Sequence, residues 1–263
     1  MELTTDVFKK ENNILKVPSF DIPNGISTRM GGVSNGYFST MNLGLSTTDS
    51  KEHIRENFRR FCKETNTNYN NLVLTDQTHN TNIKIITKED AGKGLIKQLD
   101  YNDIDGLITN EKDLPISVVF ADCLPVLFYD KKRKVIGVAH SGWKGTEGNI
   151  SKKMIETFKT QYNSDPKDIL VCIGPSIMEC CYEVDDTVAD KFQKDYPEYI
   201  TKKENDKYML SLQDICKKQL LNCDIEKENI TVTDLCTMCN KDHLFSHRGS
   251  SGKRGLGCAI LSL

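Results

Sequence analysis

Two apolar runs, PVLFYD at 125–130 and VIGVAHS at 135–141, are separated only by the charged residues KKRK. A charged turn that short between two strand-forming runs dictates an antiparallel hairpin. Further strand-like runs flank it: NLVLTDQTHN, NIKIIT, DGLIT and ISVVFADC before, DILVCIG, ITVTDL and GCAILSL after, with Gly174-Pro175 stopping DILVCIG. Helical spacing appears between them. After TTDS, Asp49 can cap and Glu52 stands three residues on, followed by Ile54, Phe58, Phe61 and Cys62. Ile150, Met154, Ile155 and Phe158 share a second helical face, and Val188 with Phe192 marks a third helix. SLQDICKKQLL opens with a capping box at Ser211 and Asp214. Strands mixed with helices around an antiparallel hairpin place the chain in the α/β class, with layers around a mixed sheet. No repeat, linker or low-complexity tract divides it, so residues 1–263 read as a single domain.

Composition narrows the function classes. Thirty-five basic and 37 acidic residues leave a formal charge of −2, with no basic block or aromatic-interleaved stripe, which argues against nucleic acid and membrane surfaces as partners. The N-terminus MELTTDVFKKENNILKV holds no continuous apolar stretch of the signal-peptide kind, and no run approaches the ~18–20 apolar residues that span a bilayer. We therefore expect a cytoplasmic protein, in which thiols stay reduced. The ten cysteines then read as free thiols, a few of them metal ligands, with Cys62 and Cys172 as small core residues.

The chemistry-bearing residues cluster around the hairpin. Its turn centres near Lys132, so Cys123 and His140 lie opposite each other or one residue out of register. A thiol beside an imidazole fits two ligands of one metal, or a nucleophile and its base; a core cysteine and a satisfied histidine fit the same spacing. His79, in the polar segment TDQTHNTN, is a third candidate at a strand end. Two histidines and one thiolate would leave a tetrahedral zinc with an open fourth position, the arrangement of a catalytic site. The same ligands accept copper. The motif Cys236-Thr-Met-Cys239, followed by His243 and His247, offers a rival zinc site, although its gap is shorter than in a zinc finger. His247 could instead join Arg248 in an anion site. Arg29 precedes Gly31 and Gly32, and freed backbone N–H groups beside a guanidinium suit a phosphate or carboxylate; GGVSNG also reads simply as a hairpin turn. Of the adjacent Cys180 and Cys181, one is expected to face the core. HSGWKG matches neither a P-loop nor GxGxxG.

TRMGGVS, DQTHN, D-x-DGLIT, ADCLPVLFYD, GVAHSGWKGT, GPSI-x-x-CCYEV and C-x-x-C…HLFSHR occur in that order over nearly the whole chain. In this order they resemble the YfiH-type laccase-domain family, also described as polyphenol oxidases and as purine nucleoside phosphorylases. The resemblance implies a single three-layer α/β/α domain with a mixed sheet, related to the cytotoxic-necrotizing-factor deamidases. It implies a zinc held by His79, Cys123 and His140. It also implies phosphorolysis of adenosine, inosine, guanosine and methylthioadenosine, adenosine deamination, and copper-dependent phenol oxidation. Some bacterial members are linked instead to removing a wrong amino acid from a nucleotide-sugar precursor of peptidoglycan. The family often carries a second arginine directly after the one matched by Arg248. Here Gly249 follows, so Lys253 or Arg254 would have to replace it.

Purine nucleosides and phosphate are thus the expected partners, and a monomer or weak oligomer the expected state. Arg29, Arg248 and the glycine-rich turns would hold phosphate, and Trp143 would stack on a purine or pack its loop. Asp122, beside Cys123, would orient the site, act as a base or serve as a strand-end hydrogen-bonding residue. The runner-up is a metal-free amide hydrolase with Cys123 as nucleophile and His140 as base. Phenol oxidation ranks below both, because a dedicated multicopper enzyme needs many histidines and this chain has five.

Overall fold

The computed structural model describes residues 3–263. In chain order the strands and helices are β1 (Lys9–Glu11), β2 (Ile14–Lys16), β3 (Asn24–Ser27), α1 (Lys51–Thr65), β4 (Val73–Leu74), β5 (Ile83–Ile85), β6 (Gly106–Thr109) and β7 (Ile116–Phe120). The hairpin strands β8 (Leu124–Asp130) and β9 (Val135–Ser141) follow, then α2 (Trp143–Glu147), α3 (Ile150–Tyr162) and β10 (Ile169–Ile173). The chain finishes with β11 (Glu183–Val184), α4 (Asp186–Gln193), β12 (Ile200–Lys202), β13 (Tyr208–Leu210), α5 (Leu212–Leu221), β14 (Ile230–Val232) and β15 (Gly257–Leu261).

The strands form two six-stranded sheets, ordered β1-β2-β3-β15-β7-β4 and β14-β10-β8-β9-β6-β5, and a small sheet β11-β13-β12. Both large sheets are mixed: β4 runs parallel to β7, β5 to β6 and β10 to β14, while the other pairings are antiparallel. The α/β class and the mixed pairing agree with the sequence reading. Between the outer helices, however, the strand layer is double. Every residue of β8 is buried, because its two faces meet different covers. Val126 and Phe128 pack with Met154, Phe158 and Ile215 of α3 and α5, whereas Leu127 and Tyr129 face Val118, Ala259 and Ile26 of the first sheet. Helix α1 closes the far side of that sheet, setting Ile54, Phe58, Phe61 and Cys62 against Ile14, Cys258 and Ile260.

Local details differ in two places. Ser50, one residue beyond Asp49, caps α1 by accepting from the His53 N–H, while Asp49 accepts from Ser50 N and Asn42 Nδ2. GGVSNG joins no two strands. Its loop folds back on itself, with Ser34 N donating to Thr40 O and Thr40 N to Arg29 O, and a Cβ at Gly32 would lie 2.1 Å from Thr40 O. Among the described residues no helix is long and apolar enough to cross a membrane.

Candidate metal centre

The hairpin delivers two of the three candidate ligands. His140 pairs with Pro125 in the β8–β9 register, so Cys123 stands two positions beyond the residue opposite it. A one-residue offset would have put the two on opposite faces; an offset of two returns Cys123 to the face of His140 as a diagonal neighbour. His79 arrives from the segment between β4 and β5 with a left-handed backbone (φ 64°). The ligand atoms of His79, Cys123 and His140 lie within 4.8 Å of one another, and the two imidazole rings meet edge to face at 4.8 Å. Gly142 follows from this crowding, because a Cβ there would lie 3.0 Å from Cys123 Sγ and 3.1 Å from His79 Cδ2.

One fully buried carboxylate organises both histidines. Asp105, at the entry to β6, accepts from the backbone N–H groups of Thr78, His79 and Asn80 at 3.0, 3.2 and 2.9 Å. Its Oδ1 also accepts from His140 Nδ1 at 2.8 Å, which leaves Nε2 as the ring nitrogen available to a ligand. Burial pushes the Asp105 carboxyl up, but the bonds from His140, Asn80 and Thr78 outweigh it and hold the group below the usual carboxylate range. We predict that Asp105→Asn weakens metal binding at His79, Cys123 and His140 by roughly 10- to 100-fold, the usual cost of losing an outer partner of a ligating histidine. Competition with a chromophoric chelator reads this directly, and an unchanged affinity would refute the orienting role.

Burial likewise raises the Cys123 thiol, yet His140 and His79 more than reverse this and bring it down to about 6. Burial lowers His140, while Cys123 and Asp105 raise it to about 9. Each member of the pair therefore favours the charged form of the other, thiolate against imidazolium. A metal held by these residues would take the thiolate and a neutral His140, so its binding would release the imidazolium proton.

These three residues line a cavity of about 410 Å³, together with Asp76, Gln77, Arg254 and an apolar wall that includes Leu43, Leu45, Leu74, Val119 and Leu256. Arg254 Nε is buried and has no hydrogen-bond partner among the described residues. The remaining residues singled out in the sequence lie elsewhere. Asp122 is nearly buried with φ 89°, and its oxygens accept from Thr237 Oγ1 and Arg248 N, both at 2.6 Å. Trp143 and Arg248 line a separate recess with Tyr182 and Lys207, and Arg248 Nη1 donates to Glu183 O. Arg29 lines a third recess, its guanidinium donating to Ser39 O and Lys241 O and lying over the Phe245 ring. Cys236 and Cys239 associate with Cys180 and Cys181, and the histidines of the C-x-x-C…H-x-x-x-H pattern are not part of that group. Neither Cys180 nor Cys181 enters the core. The sequence reading missed Asp105, although D-x-DGLIT, an acid standing directly before an apolar strand, carried the signal.

Residues 23–263 match the model of a family described as multi-copper polyphenol oxidoreductase laccase. The chain is 35% identical over 237 residues to the purine nucleoside phosphorylase YlmD of Bacillus subtilis, covering 88% of this chain and 84% of that one. It is 34% identical to the protein of the same name from Geobacillus stearothermophilus, over 90% and 88% of the two chains. The crystal structure of the Bacillus licheniformis hypothetical protein YfiH superposes with a TM-score of 0.94 at 32% identity, covering 98% of this chain and 99% of that one.

Proposed function

Because the chain belongs to the family described as multi-copper polyphenol oxidoreductase laccase, and because His79, Cys123 and His140 converge on one cavity, we propose that it is a zinc-dependent purine nucleoside phosphorylase. The observation that carries this reading is Arg254, which lines the same cavity as that ligand set and whose buried Nε has no hydrogen-bond partner among the described residues. Two imidazoles and a thiolate suit zinc, and three protein ligands are the number found in catalytic sites. Held there, zinc supplies Lewis-acid polarisation of a substrate oxygen.

Phosphorolysis joins a phosphate oxygen to ribose C1′ while the bond from C1′ to the purine nitrogen breaks. The purine leaves with the electron pair and takes up a proton. Arg254 offers phosphate charge-assisted bonds in a partly dry cavity, where they are strongest. The apolar wall accepts the purine face common to adenosine, inosine, guanosine and methylthioadenosine, and adenosine deamination would use the same cavity with water replacing phosphate. Asp122, with both oxygens engaged, positions the strand end beside Cys123. Arg29, Trp143 and Arg248 act from the neighbouring recesses on longer or larger substrates.

The test is adenine release from adenosine with and without inorganic phosphate, with metal content measured on the same preparation because copper fits these ligands too. Release confined to the phosphate-containing sample supports the reading; no release from any of the four nucleosides by zinc-loaded protein ends it. We predict that Arg254→Ala lowers kcat/KM for phosphate by roughly 10- to 100-fold, the worth of a hydrogen bond to a charged group. A phosphate titration at saturating adenosine shows whether it does.

One observation favours a second reading. Asp105, His140 and Cys123 stand in the order of a hydrolase triad, with the thiolate favoured. On that reading an amide in a peptidoglycan precursor is cleaved without metal. His79→Ala separates the two, since a Cys/His pair survives it and a three-ligand zinc does not.

A further inference from the structure

Parallel pairing of β10 with β14 sends the chain segments that follow them out of the same end of the sheet. The two segments then run together. Ser176 forms an isolated parallel bridge with Cys236, and Thr237 N donates to Ser176 O at 3.0 Å. Gln213 of α5 fastens the first segment from behind, its Nε2 donating to Ser176 Oγ and Ile177 O. This arrangement brings Cys180 and Cys181 of one segment against Cys236 and Cys239 of the other, 55 or more residues apart in sequence (about the length of a small domain).

All four sulfurs lie within 4.8 Å of one another. The Cys180–Cys181, Cys180–Cys239 and Cys181–Cys239 sulfurs are 3.7, 3.7 and 3.4 Å apart. A tetrahedral zinc with Zn–S bonds of about 2.3 Å spaces its sulfurs about 3.8 Å apart. A disulfide brings them to about 2.05 Å, and all four are free thiols. The backbone of the second segment is itself held in a turn there, with Asn240 N donating to Cys236 O at 3.0 Å. Soft thiolate sets of this kind select zinc over hard cations.

We propose that Cys180, Cys181, Cys236 and Cys239 form a second, structural zinc site, distinct from the His79/Cys123/His140 centre. It staples two segments that both hold Asp122, since Ile177 N of the first donates to Asp122 O and Thr237 Oγ1 of the second to its carboxylate. Thr237, one residue after Cys236, donates to Asp122, and Arg248 farther along the same segment donates to the other Asp122 oxygen. Fixing the segment therefore fixes Asp122 and the Cys123 backbone that follows it. The proposal is independent of the reaction assigned to the cavity.

The experiment counts zinc by plasma mass spectrometry in the full chain, purified under reducing conditions. Cys123→Ala, which removes a ligand of the first centre, is expected to retain about one zinc per chain, the closed-site stoichiometry of a four-thiolate centre. Adding Cys239→Ser should remove that zinc. Circular dichroism establishes that the double variant remains folded, and Cys180→Ser on the Cys123→Ala background serves in its place if it does not. Cobalt substituted into Cys123→Ala should show the sulfur-to-metal charge-transfer band of a tetrahedral thiolate site. The proposal is overturned if folded Cys123→Ala holds no zinc, or if its zinc survives both serine substitutions.

Discussion

Cys123→Ala is expected to lose the metal of the His79/Cys123/His140 centre and phosphate-dependent adenine release together. Removing the thiolate takes away the one anionic ligand and leaves two histidines, too few to hold zinc against solvent. Lewis-acid stabilisation worth several kcal/mol then disappears, a fall on the order of 10³-fold in kcat/KM. The fold should be little disturbed, because Cys123 faces the cavity and lies outside every apolar core cluster. The decisive comparison is with His79→Ala. If both variants lose metal and turnover alike, three ligands act as one unit. If His79→Ala remains active while Cys123→Ala does not, the thiolate is a nucleophile, and the hydrolase reading replaces the phosphorylase.

The second large effect is on stability. Phe128 is fully buried on the outward face of β8, its ring 6.1 Å from that of Phe158 on α3. Phe128→Ala removes this ring from a close-packed layer between sheet and helices, and partial collapse of the space restores little. We expect a loss of about 3–5 kcal/mol of unfolding free energy, seen as a lower urea midpoint at unchanged slope. A loss below about 1 kcal/mol would mean that this layer is loosely packed. Metal bound per folded chain should stay at the wild-type value, since β8 carries Phe128 five residues from Cys123 (about 17 Å along a strand). Together the two substitutions separate what holds the fold from what performs the chemistry.

Much of the centre was legible because it is built on a hairpin. Seventeen residues from Pro125 to Ser141, two apolar strands around KKRK, leave one pairing open to the chain and bring Cys123 near His140. The offset was not legible, because the positive φ at Asp122 precedes the start of the strand, and an aspartate favours such a backbone without dictating it. Asp105 escaped notice for a related reason. Its importance comes from being buried beneath a segment about 25 residues away, and the acid before an apolar strand in D-x-DGLIT marks the position without showing those partners. The C-x-x-C…H-x-x-x-H reading failed where sequence proximity misled: the partners of Cys236 and Cys239 are Cys180 and Cys181, brought together by the parallel pairing of β10 and β14 and by the bridge from Ser176 to Cys236.

Apolar periodicity and turn chemistry, which act within about twenty residues, determined by themselves the α/β class, the positions of most strands and helices, the hairpin and the candidacy of His79, Cys123 and His140. The doubling of the sheet layer, the carboxylate that orients the histidines, the separation of Arg29 and Trp143 from the metal cavity, the exposure of Arg254 to it and the gathering of four cysteines were decided by the tertiary structure. A strand buried on both faces has one pattern whether a helix or a second sheet covers it, and a side chain acquires its partners only when distant segments pack.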